Sequence, residues 1–573
     1  MARLGPAGRL GTRGPSHHTV STHRQVCVVT GGGGGIGAAI AEELGRHGWF
    51  VVTVDPLVTL DGMQTLPEPE QTTAGRIVAG GGSAQASSAS VTDGDALRDL
   101  FRQLVHEHGS LDAVVNVAGI TRQSYFAQGT EEDWLALLEV HLGGYLNVLE
   151  AALPLMAAAG HGHILGVTSG SGWRAADAGG YSSAKRAVAA LTWQLGLQTP
   201  PGVTVNAMSP IANTRMVAAA LERARAAGRA GGGGGLSLSA IPGPENLGPL
   251  GAHLVGNGFG WCSGQVLFAG GSEVAVVDRP RLLEVVRTGE VASLGGVLQA
   301  VIPRAFASAE AAQATEGGSN PRFGPIFDEP PDAESGPAPI PIASCAVVSD
   351  RPVVAAAITA ALEARSIVCH AVEVAGTYDG AAGALLSVVD RAEPIDSLVV
   401  ALAGPPATPS PGAGWEHLLA DHRGIVARLH ADAAWGRAAA DYAARTSRRV
   451  RLVTLTDATT PSGRSRAQAS AQQARVAAGA TKRLLTAFGV SIEAPEEVAG
   501  RAAGELVFQL LCNPEADALA GAELVVSGGW IGLRSHPRVV GTVTYGGPAV
   551  PSWLDVALRD IVPAGATPDP EAR

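Results

Sequence analysis

Apolar runs of strand length alternate with segments of helical period, and this alternation limits the fold more than any other feature of the sequence. "VCVVT" (26–30) and "FVVTVD" (50–55) have the length and composition of buried strands. Between them Ile36, Ile40 and Leu44 recur at helical spacing. Strands that alternate with helices in this way predict an α/β fold, with a parallel, doubly wound sheet covered by helices on both faces.

The same pattern occurs twice along the chain. "SLVVALAG" (397–404) echoes "DAVVNVAG" (112–119), and "GAELVVSGGW" near 521 echoes "GQVLFAGGSE" near 264. Self-similarity over this distance predicts a tandem duplication of one Rossmann-like domain. Any two α/β domains look partly alike, but the matched order of several short segments favours duplication.

Composition divides the chain into five segments. A stretch rich in proline, glycine and acidic residues cannot build a core, and it indicates a linker. The "GGGGG" run at 231–235 follows no strand, so we expect a surface loop there rather than a phosphate cradle. The predicted segments are a flexible tail (1–23), a first domain (24–302), a linker (303–340), a second domain (341–545) and a C-terminal tail (546–573).

The charge balance and the cysteine spacing exclude several classes of protein. The chain has 41 basic and 52 acidic residues and no basic cluster interleaved with aromatics, so neither nucleic acid nor an anionic membrane is an expected partner. No apolar run resembles a secretory signal or approaches the roughly 18 residues of a membrane span. The five cysteines show no metal-ligand spacing, so we expect no disulfide framework, no metal site and a reducing cytoplasm.

A glycine-rich turn, "TGGGGGIG" (30–37), lies between the first predicted strand and its helix. Glycines at this place let backbone amides approach a pyrophosphate at a helix N-terminus. The second strand ends in Asp55, whose carboxylate is placed to accept hydrogen bonds from an adenosine ribose. No arginine follows that strand or lies in the turn to receive a 2′-phosphate. The pattern therefore predicts a dinucleotide site that favours NAD over NADP.

The motif "YSSAK" (181–185) contains one of only two lysines in the chain. Positions four apart share a helical face, so Tyr181 and Lys185 are expected side by side. An adjacent ammonium lowers the pKa of a phenol, ordinarily near ~10, and makes it a better base. Upstream, "GVTSGSG" offers Ser169, whose hydroxyl is expected to hold a substrate oxygen beside Tyr181.

In this order the motifs resemble the short-chain dehydrogenase/reductase family over about residues 25–300. The resemblance also rests on "NVAG" (116–119) and "VNAMSPIANTRM" (205–216). It implies that Tyr181 is the general acid/base, that Lys185 is its partner and ribose anchor, and that Ser169 binds the carbonyl oxygen. The cofactor contacts that it implies are Gly31, Gly35, Ile36, Gly37, Asp55, Asn116, Ala118, Gly119, Tyr181, Lys185, Pro210, Ile211 and Thr214.

One position departs from the family pattern. The family's helix asparagine, which supports a proton-relay water, is replaced by His141 in "EVHLGG". A histidine there can hold a water or can pack as an ordinary helix-face imidazole, and the sequence favours neither. "VHLGG" together with "SPIANTRM" resembles the dehydrogenase unit of the peroxisomal multifunctional type 2 enzymes, which implies a 3-hydroxyacyl-CoA as substrate.

The resemblance implies an NAD(P)-dependent oxidoreductase that interconverts a secondary alcohol and a ketone. A 3-hydroxyacyl or 3-oxoacyl thioester is the first expected substrate, and a steroid or other cyclic alcohol is the second. A non-catalytic nucleotide-binding scaffold is the rival interpretation, favoured by the substituted asparagine. Four apolar side chains are candidates either for a substrate pocket or for simple packing: Trp173, Tyr125, Phe126 and Met216.

The second copy lacks the corresponding side chains. Aligning "ASAQ" with "SSAK" places Gln468 and Gln472 at the positions of the tyrosine and the lysine, and "SCAVVSDRP" contains no glycine turn. We therefore expect a degenerate second domain. Its apolar helical faces, around 415–429 and 467–485, predict a built-in partner that makes one chain an intramolecular pseudo-dimer. A homo-oligomer of such chains is the alternative.

Overall fold

The structure is a computed structural model that describes residues 24–175, 177–226, 241–289, 293–313, 338–391, 394–403 and 412–563. Some expectations from the sequence fall outside these residues. They concern the tail at 1–23, the glycine run at 231–235, most of the linker (314–337) and the end of the C-terminal tail (564–573).

The first sheet contains nine strands, of which seven run parallel. In two central strands, Val26–Thr30 and Ala113–Asn116, every residue is buried, as expected where helices cover both faces. The strands are β1 (Val26–Thr30), β2 (Phe50–Val54), β3 (Ser83–Ser87), β4 (Ala113–Asn116), β5 (Gly162–Val167), β6 (Val203–Pro210), β7 (Val266–Gly270), β8 (Glu273–Asp278) and β17 (Arg538–Thr544). Their order is β17-β8-β7-β6-β5-β4-β1-β2-β3.

The helices of the first domain follow these strands in alternation. They are α1 (Gly35–Arg46), α2 (Thr73–Ala79), α3 (Gly94–His108), α4 (Glu131–Leu138), α5 (Gly144–Ala159), α6 (Gly179–Leu195), α7 (Arg215–Ala226) and α8 (Gly248–Leu254). A π-helical turn, Glu139–Gly143, joins α4 to α5. The joined helix is long and apolar enough to meet the criteria for a membrane span, contrary to the sequence-based expectation, but it supplies much of the domain core.

The second sheet repeats this order without a counterpart of β3. Its strands are β9 (Leu282–Arg287), β10 (Ser344–Ser349), β11 (Val368–Val372), β12 (Ser397–Ala401), β13 (Val450–Asp457), β14 (Leu485–Ile492), β15 (Glu523–Ser527) and β16 (Trp530–Arg534). They lie in the order β11-β10-β12-β13-β14-β15-β16-β9. The accompanying helices are α11 (Pro352–Glu363), α12 (Tyr378–Val389), α13 (Gly414–His422), α14 (Ile425–Thr446), α15 (Pro461–Ala480) and α16 (Glu496–Cys512). Two tandem, doubly wound α/β domains are thus confirmed.

The two domains exchange their last strands. Strand β9, from the first half of the chain, pairs antiparallel with β16, and β17, from the second half, pairs antiparallel with β8. The helices that follow make the same exchange. Helices α9 (Leu294–Val301) and α10 (Ser308–Ala311) pack on the core of the second domain, and α17 (Leu554–Ile561) packs on that of the first. Each domain is therefore completed by chain from the other half.

This exchange corrects the predicted domain boundaries. The first domain does not extend to 302, because β9 and α9 belong to the second. The predicted linker does not begin at 303, because Ile302–Ala307 forms a π-helical turn whose Phe306 is buried in the second core. The predicted C-terminal tail contains α17. An edge strand is held by backbone hydrogen bonds, which do not depend on the identity of its side chains. The sequence of such a strand therefore does not indicate which sheet it joins.

The domains meet through paired helices. Helix α6 packs against α15, α4 against α14 and α5 against α13. Phe126 from the first domain inserts into the second-domain cluster around Trp435. In the opposite direction, the first-domain core continues into the second domain through Trp415, Leu418, Leu419, Ile425 and Leu429. The two halves therefore share a continuous apolar interior.

Candidate active site

The glycine turn after β1 is shaped so tightly that side chains are excluded. Gly31 and Gly35 have positive φ angles of 64° and 56°. A methyl group built on Gly31 would lie 2.8 Å from the backbone nitrogen of Ala118, and one on Gly37 would lie 2.2 Å from the Gly31 oxygen. The turn thus brings the start of α1 against the end of β4 and leaves an open backbone surface at a helix N-terminus. This cradle fits a dinucleotide pyrophosphate.

Asp55 closes one side of the cradle. Its Oδ2 accepts a hydrogen bond from the Gly33 amide at 3.0 Å, and its Oδ1 accepts one from the Leu57 amide at 2.9 Å. A methyl group on Gly33 would lie 2.6 Å from that Oδ2, so the carboxylate and the turn require each other. The carboxylate lies at the end of β2, where it can accept hydrogen bonds from ribose hydroxyls.

Arg215, the first residue of α7, is a site residue that sequence reasoning missed. A methyl group built on Gly34 would lie 3.4 Å from its Nη2 atom, so the guanidinium lies beside the glycine turn. The expectation of no nearby arginine considered only the turn and β2. The segment after β6 crosses over the turn, as Thr214 also shows, since its Cγ2 lies 3.9 Å from a methyl built on Gly35.

Asn116, which the resemblance gives as a cofactor contact, ends β4 and is paired with Thr30, the last residue of β1. Its side chain is buried, and its Oδ1 accepts a hydrogen bond from the Thr30 hydroxyl at 2.7 Å. The Ala118 amide donates to the same hydroxyl at 3.3 Å. Asn116 therefore acts beneath the site, where it ties the end of β4 to the end of β1. Gly119, three residues further on, leaves room for His141, because a methyl group built on this glycine would lie 2.5 Å from the imidazole Cε1.

Ser169, Tyr181 and Lys185 come together at the carboxyl end of β5. The Ser169 hydroxyl lies near enough to the Tyr181 phenol to lower its pKa, and the Lys185 Nζ lies 5.7 Å from the phenol ring centroid. Two further bonds fix the lysine: its Nζ donates to the Val167 carbonyl at 2.6 Å, and the Thr168 hydroxyl donates to the Lys185 carbonyl at 2.6 Å. Helix α6 is thus attached directly to the strand end that bears Ser169.

The pKa values in this cluster differ from those expected from the sequence. Burial raises the pKa of Tyr181, and the nearby Ser169 hydroxyl offsets only part of that rise. Burial also lowers the pKa of Lys185 to about 7, so its charge is incomplete at neutral pH. The prediction of a lowered phenol pKa is therefore wrong for the unliganded protein, because burial is the largest influence on Tyr181.

His141 lies on the π-helical turn between α4 and α5, and its ring meets the Tyr181 ring edge to face at 5.0 Å. Its Nε2 lies 2.8 Å from the Ile120 carbonyl, so that nitrogen donates and Nδ1 carries a lone pair. The buried Nδ1 has no hydrogen-bond partner among the described residues. Burial and the nearby Lys185 hold the pKa of His141 well below its usual value, so the ring is a neutral acceptor.

The segment after β6 and the apolar candidates complete the first-domain site. Pro210 ends β6, and the Ile211 amide donates to the Ala269 carbonyl at 2.8 Å, which fixes the start of that segment. Trp173 is buried in a small core cluster of the first domain, and Phe126 is buried at the domain interface. Both serve as packing residues. Tyr125 and Met216 are only partly buried.

The described part of the second domain, 338–391, 394–403 and 412–563, has neither the glycine turn nor the tyrosine and lysine at the equivalent places. Asp350 follows β10 where Gly31 follows β1, and its Oδ1 accepts a hydrogen bond from the Ala403 amide at 2.6 Å. Gln468 and Gln472 lie on α15, which packs against the tyrosine-bearing α6. The absence of a glycine turn and of a phenol agrees with a degenerate domain.

Comparison with known proteins identifies the family of the first domain. A family model described as short chain dehydrogenase matches residues 25–225. The short-chain reductase protein NovJ of Streptomyces niveus is 33% identical over 190 residues, which cover 33% of this chain and 69% of that protein. The acetoacetyl-CoA reductase of Cupriavidus necator is 32% identical over 189 residues, covering 33% of this chain and 74% of that protein. The peroxisomal hydratase-dehydrogenase-epimerase of Neurospora crassa is 29% identical over 253 residues, 44% of this chain and 26% of that protein. The chain belongs to the short-chain dehydrogenase/reductase family of oxidoreductases.

Proposed function

We propose that the first domain is an NAD-dependent oxidoreductase that interconverts a secondary alcohol and a ketone. The observation that carries the proposal is the placement of Ser169 beside Tyr181, at the same end of the sheet as the glycine turn. A hydroxyl paired with a phenol can hold a substrate oxygen and exchange a proton with it. A scaffold that only binds nucleotide would have no use for this pair.

Each side chain has a distinct role in the proposed reaction. In ketone reduction the Tyr181 phenol donates its proton to the carbonyl oxygen, and in alcohol oxidation the phenolate accepts the hydroxyl proton. Ser169 donates a hydrogen bond to the same oxygen and so fixes its position. Lys185, when protonated, stabilises the phenolate. A bound nicotinamide dinucleotide supplies the hydride donor or acceptor.

His141 is proposed to support proton transfer from inside the fold. Its neutral Nδ1 can accept a hydrogen bond from a water, and the Lys185 ammonium has donors beyond the one that it gives to Val167. A water between the two would pass protons toward the phenol. We therefore favour the interpretation in which His141 holds a water over the one in which it only packs. A packed imidazole would leave its buried lone pair without a hydrogen-bond donor, which costs free energy.

The carboxylate of Asp55 supports NAD rather than NADP as the cofactor. A carboxylate at the ribose position repels a 2′-phosphate and accepts hydrogen bonds from hydroxyls. Replacing Asp55 by alanine should lower the ratio of kcat/KM for NAD to that for NADP by roughly tenfold or more. An unchanged ratio would show that the carboxylate only braces the glycine turn, through Gly33.

A 3-hydroxyacyl or 3-oxoacyl thioester is the substrate that we propose first. Support comes from the similarity to an acetoacetyl-CoA reductase and to a peroxisomal hydratase-dehydrogenase-epimerase, both of which match the chain at low identity. The test is to supply the full-length protein and NAD with 3-hydroxybutyryl-CoA, a steroid alcohol and simple secondary alcohols, and to follow NADH absorbance. Turnover of the thioester alone supports the proposal. NAD binding without turnover of any alcohol would favour a scaffold.

We also propose that the second domain serves as a built-in partner for the first, so that one chain forms a pseudo-dimer in the cytoplasm. The packing of α6 on α15 and the continuous core through Trp415 and Leu429 support this arrangement. All five cysteines are free, which suits a reducing compartment. Sedimentation of the full chain at micromolar concentration tests it, because a monomer is expected and a stable homodimer would contradict it.

A further inference from the structure

The loop that carries Ser169 is held between the two domains. The segment Ser169–Arg174 follows β5 and makes a short 3-10 turn at Gly170–Gly172. On one side it rests on α6: a methyl group built on Gly172 would lie 2.9 Å from the Arg186 backbone nitrogen, one residue beyond Lys185. On the other side it meets α15 of the second domain. The position of Ser169 therefore depends on both helices.

Helix α15 donates three hydrogen bonds to this loop. The Nε2 of Gln472 donates to the Ser171 carbonyl at 3.2 Å and to the Arg174 carbonyl at 2.8 Å. The Nη1 of Arg475 donates to the Trp173 carbonyl at 3.1 Å. Both donors are largely buried, Gln472 with only 5% of its surface exposed. Removing such a buried donor leaves carbonyl groups unpaired, and that loss is more costly than the loss of a bond at the surface.

The identity of Gln472 is informative. In the alignment of the two copies it occupies the position of Lys185, so the degenerate site retains a hydrogen-bond donor where the active copy has its ammonium. That donor now points across the interface and into the loop of the active domain. A glutamine amide offers two N–H groups, which suits the two carbonyls that it meets.

We infer that Gln472 and Arg475 are positioning residues for the active site of the first domain: they hold the Ser169–Arg174 loop so that the Ser169 hydroxyl stays against the Tyr181 phenol. The inference rests on the proposed function for its catalytic consequence, but the loop contacts themselves do not. A second domain without its own reaction would then be retained because it completes the geometry of the first.

The test is a pair of matched variants of the full-length chain. Gln472→Met keeps an unbranched side chain of similar size and removes both donors. Gln473→Met makes the same change at the next residue, which is also buried, but whose Nε2 has no hydrogen-bond partner in the described part of the chain. Both variants should lose some stability through burial alone, so only a difference between them reports on the loop.

Two readouts separate loop positioning from the proposed reaction. Hydrogen exchange measures the loop amides directly: in the native protein the amides of Gly172, Trp173 and Arg174 donate to the carbonyls of Ser169 and Gly170. Exchange of the 169–174 segment should accelerate at least fivefold in Gln472→Met and stay within twofold of native in Gln473→Met. Equal protection in the two variants would overturn the inference, whether or not the protein turns over any alcohol.

Kinetics supply the second readout. Because the glycine turn is at another strand end, Gln472→Met should leave the KM for NAD within about twofold and lower kcat roughly tenfold to a hundredfold, the range expected for a displacement of about 1 Å. A rise in the KM for NAD with unchanged kcat would overturn it. If Gln472→Met fails to fold, Arg475→Lys keeps a cation beside Glu310 but withdraws the guanidinium from the Trp173 carbonyl, and the same two outcomes decide.

Discussion

The first turn of each domain differs in charge and in what occupies it. In the first domain β1 leads into Gly31 and a turn of glycines, and the Asp55 carboxylate accepts a hydrogen bond from the Gly33 amide at the edge of that turn. In the second domain β10 leads into Asp350, whose carboxylate takes the Ala403 amide for itself. Two chain segments of the same topology thus present a glycine turn in one copy and a carboxylate at the first position of the turn in the other. The fold alone does not provide a dinucleotide site.

The first helix after β6 and the first helix after β14, which holds the equivalent place in the second sheet, also begin with different charges. In the first domain α7 begins with Arg215, which lies beside the glycine turn. In the second domain α16 begins with Glu496, which pairs with Arg351 from the turn after β10. The charges at the two places are therefore inverted, and in the second copy they neutralise each other. A phosphate would find in one domain a cation that has no ion-pair partner among the described residues, and in the other a closed ion pair.

The largest expected effect comes from removing the phenol that only the first domain has. Tyr181→Phe should lower kcat by roughly 10²–10⁴, the usual contribution of a positioned proton donor, and leave the affinity for NAD nearly unchanged. Tyr145→Phe is the matched control, because Tyr145 is a buried tyrosine that bonds Thr192 away from the site. Activity of Tyr181→Phe within tenfold of native would remove the main distinction between the domains.

Exchanging the turn residues should produce the next largest effect. Gly31→Asp gives the first domain the second domain's residue at a position with φ of 64° and backbone 2.8 Å away, so NAD affinity should fall at least ~100-fold. The reciprocal change, Asp350→Gly, should leave the affinity and a stoichiometry of one NAD per chain intact by calorimetry. A second binding site in Asp350→Gly would break the comparison, because one residue would then separate the copies.

Much of this contrast could be predicted from the sequence, because it depends on residues next to regular elements. The alternation of strands and helices fixed both domains. The same order places the glycine turn, Asp55 and Ser169 at strand ends on one edge of the sheet, and the YxxxK pair on the helix that follows Ser169. Local spacing carries this information, since parallel strands bring their carboxyl ends together.

The features that sequence reasoning missed depend on packing between distant segments. Strands β9 and β17 have the composition of any edge strand, and only the three-dimensional arrangement determines which sheet each one joins. Arg215 reaches the glycine turn because the chain after β6 crosses over it, which its spacing from Pro210 does not reveal. The pKa of Tyr181 was misjudged because the effect of a neighbouring cation depends on burial, which sets how much of the charge exists.

An intermediate effect is expected on the pH dependence of stability, and it differs between the two lysines of the chain, one of which lies in each half. Lys185 is buried with a pKa of about 7, whereas Lys482 is exposed. Between pH 7 and 9 the unfolded chain binds a proton that folded Lys185 has released, so this residue makes stability rise with pH by on the order of 2 kcal/mol. Chemical denaturation of the unliganded protein should show this rise in the native chain and in Lys482→Met, but not in Lys185→Met.

A parallel pH dependence in the native chain and in Lys185→Met would show that Lys185 stays protonated despite its burial. In that case the ammonium would be fully charged at neutral pH, and the first domain would have a permanent cation beside its phenol. The second domain has Gln472 at the equivalent position, which cannot titrate at all. The measurement therefore distinguishes a permanent difference in charge between Lys185 and Gln472 from a difference in hydrogen bonding alone.

The smallest effect concerns the inverted charges over the two turns. Arg215→Gln should weaken NAD binding about fivefold to tenfold, because one exposed charge-assisted contact to a phosphate is lost while the backbone cradle remains. The dependence of affinity on salt should become flatter for the same reason. The control is Arg351→Gln, which breaks the ion pair with Glu496 in the second domain and should leave NAD affinity unchanged.

A second variant, Arg215→Glu, gives the first domain the negative charge that Glu496 has in the second, and it should weaken NAD binding further than Arg215→Gln. Equal affinities for the native chain and both Arg215 variants would mean that the backbone amides alone hold the pyrophosphate, and that the two domains differ at the turn itself rather than in the helix above it.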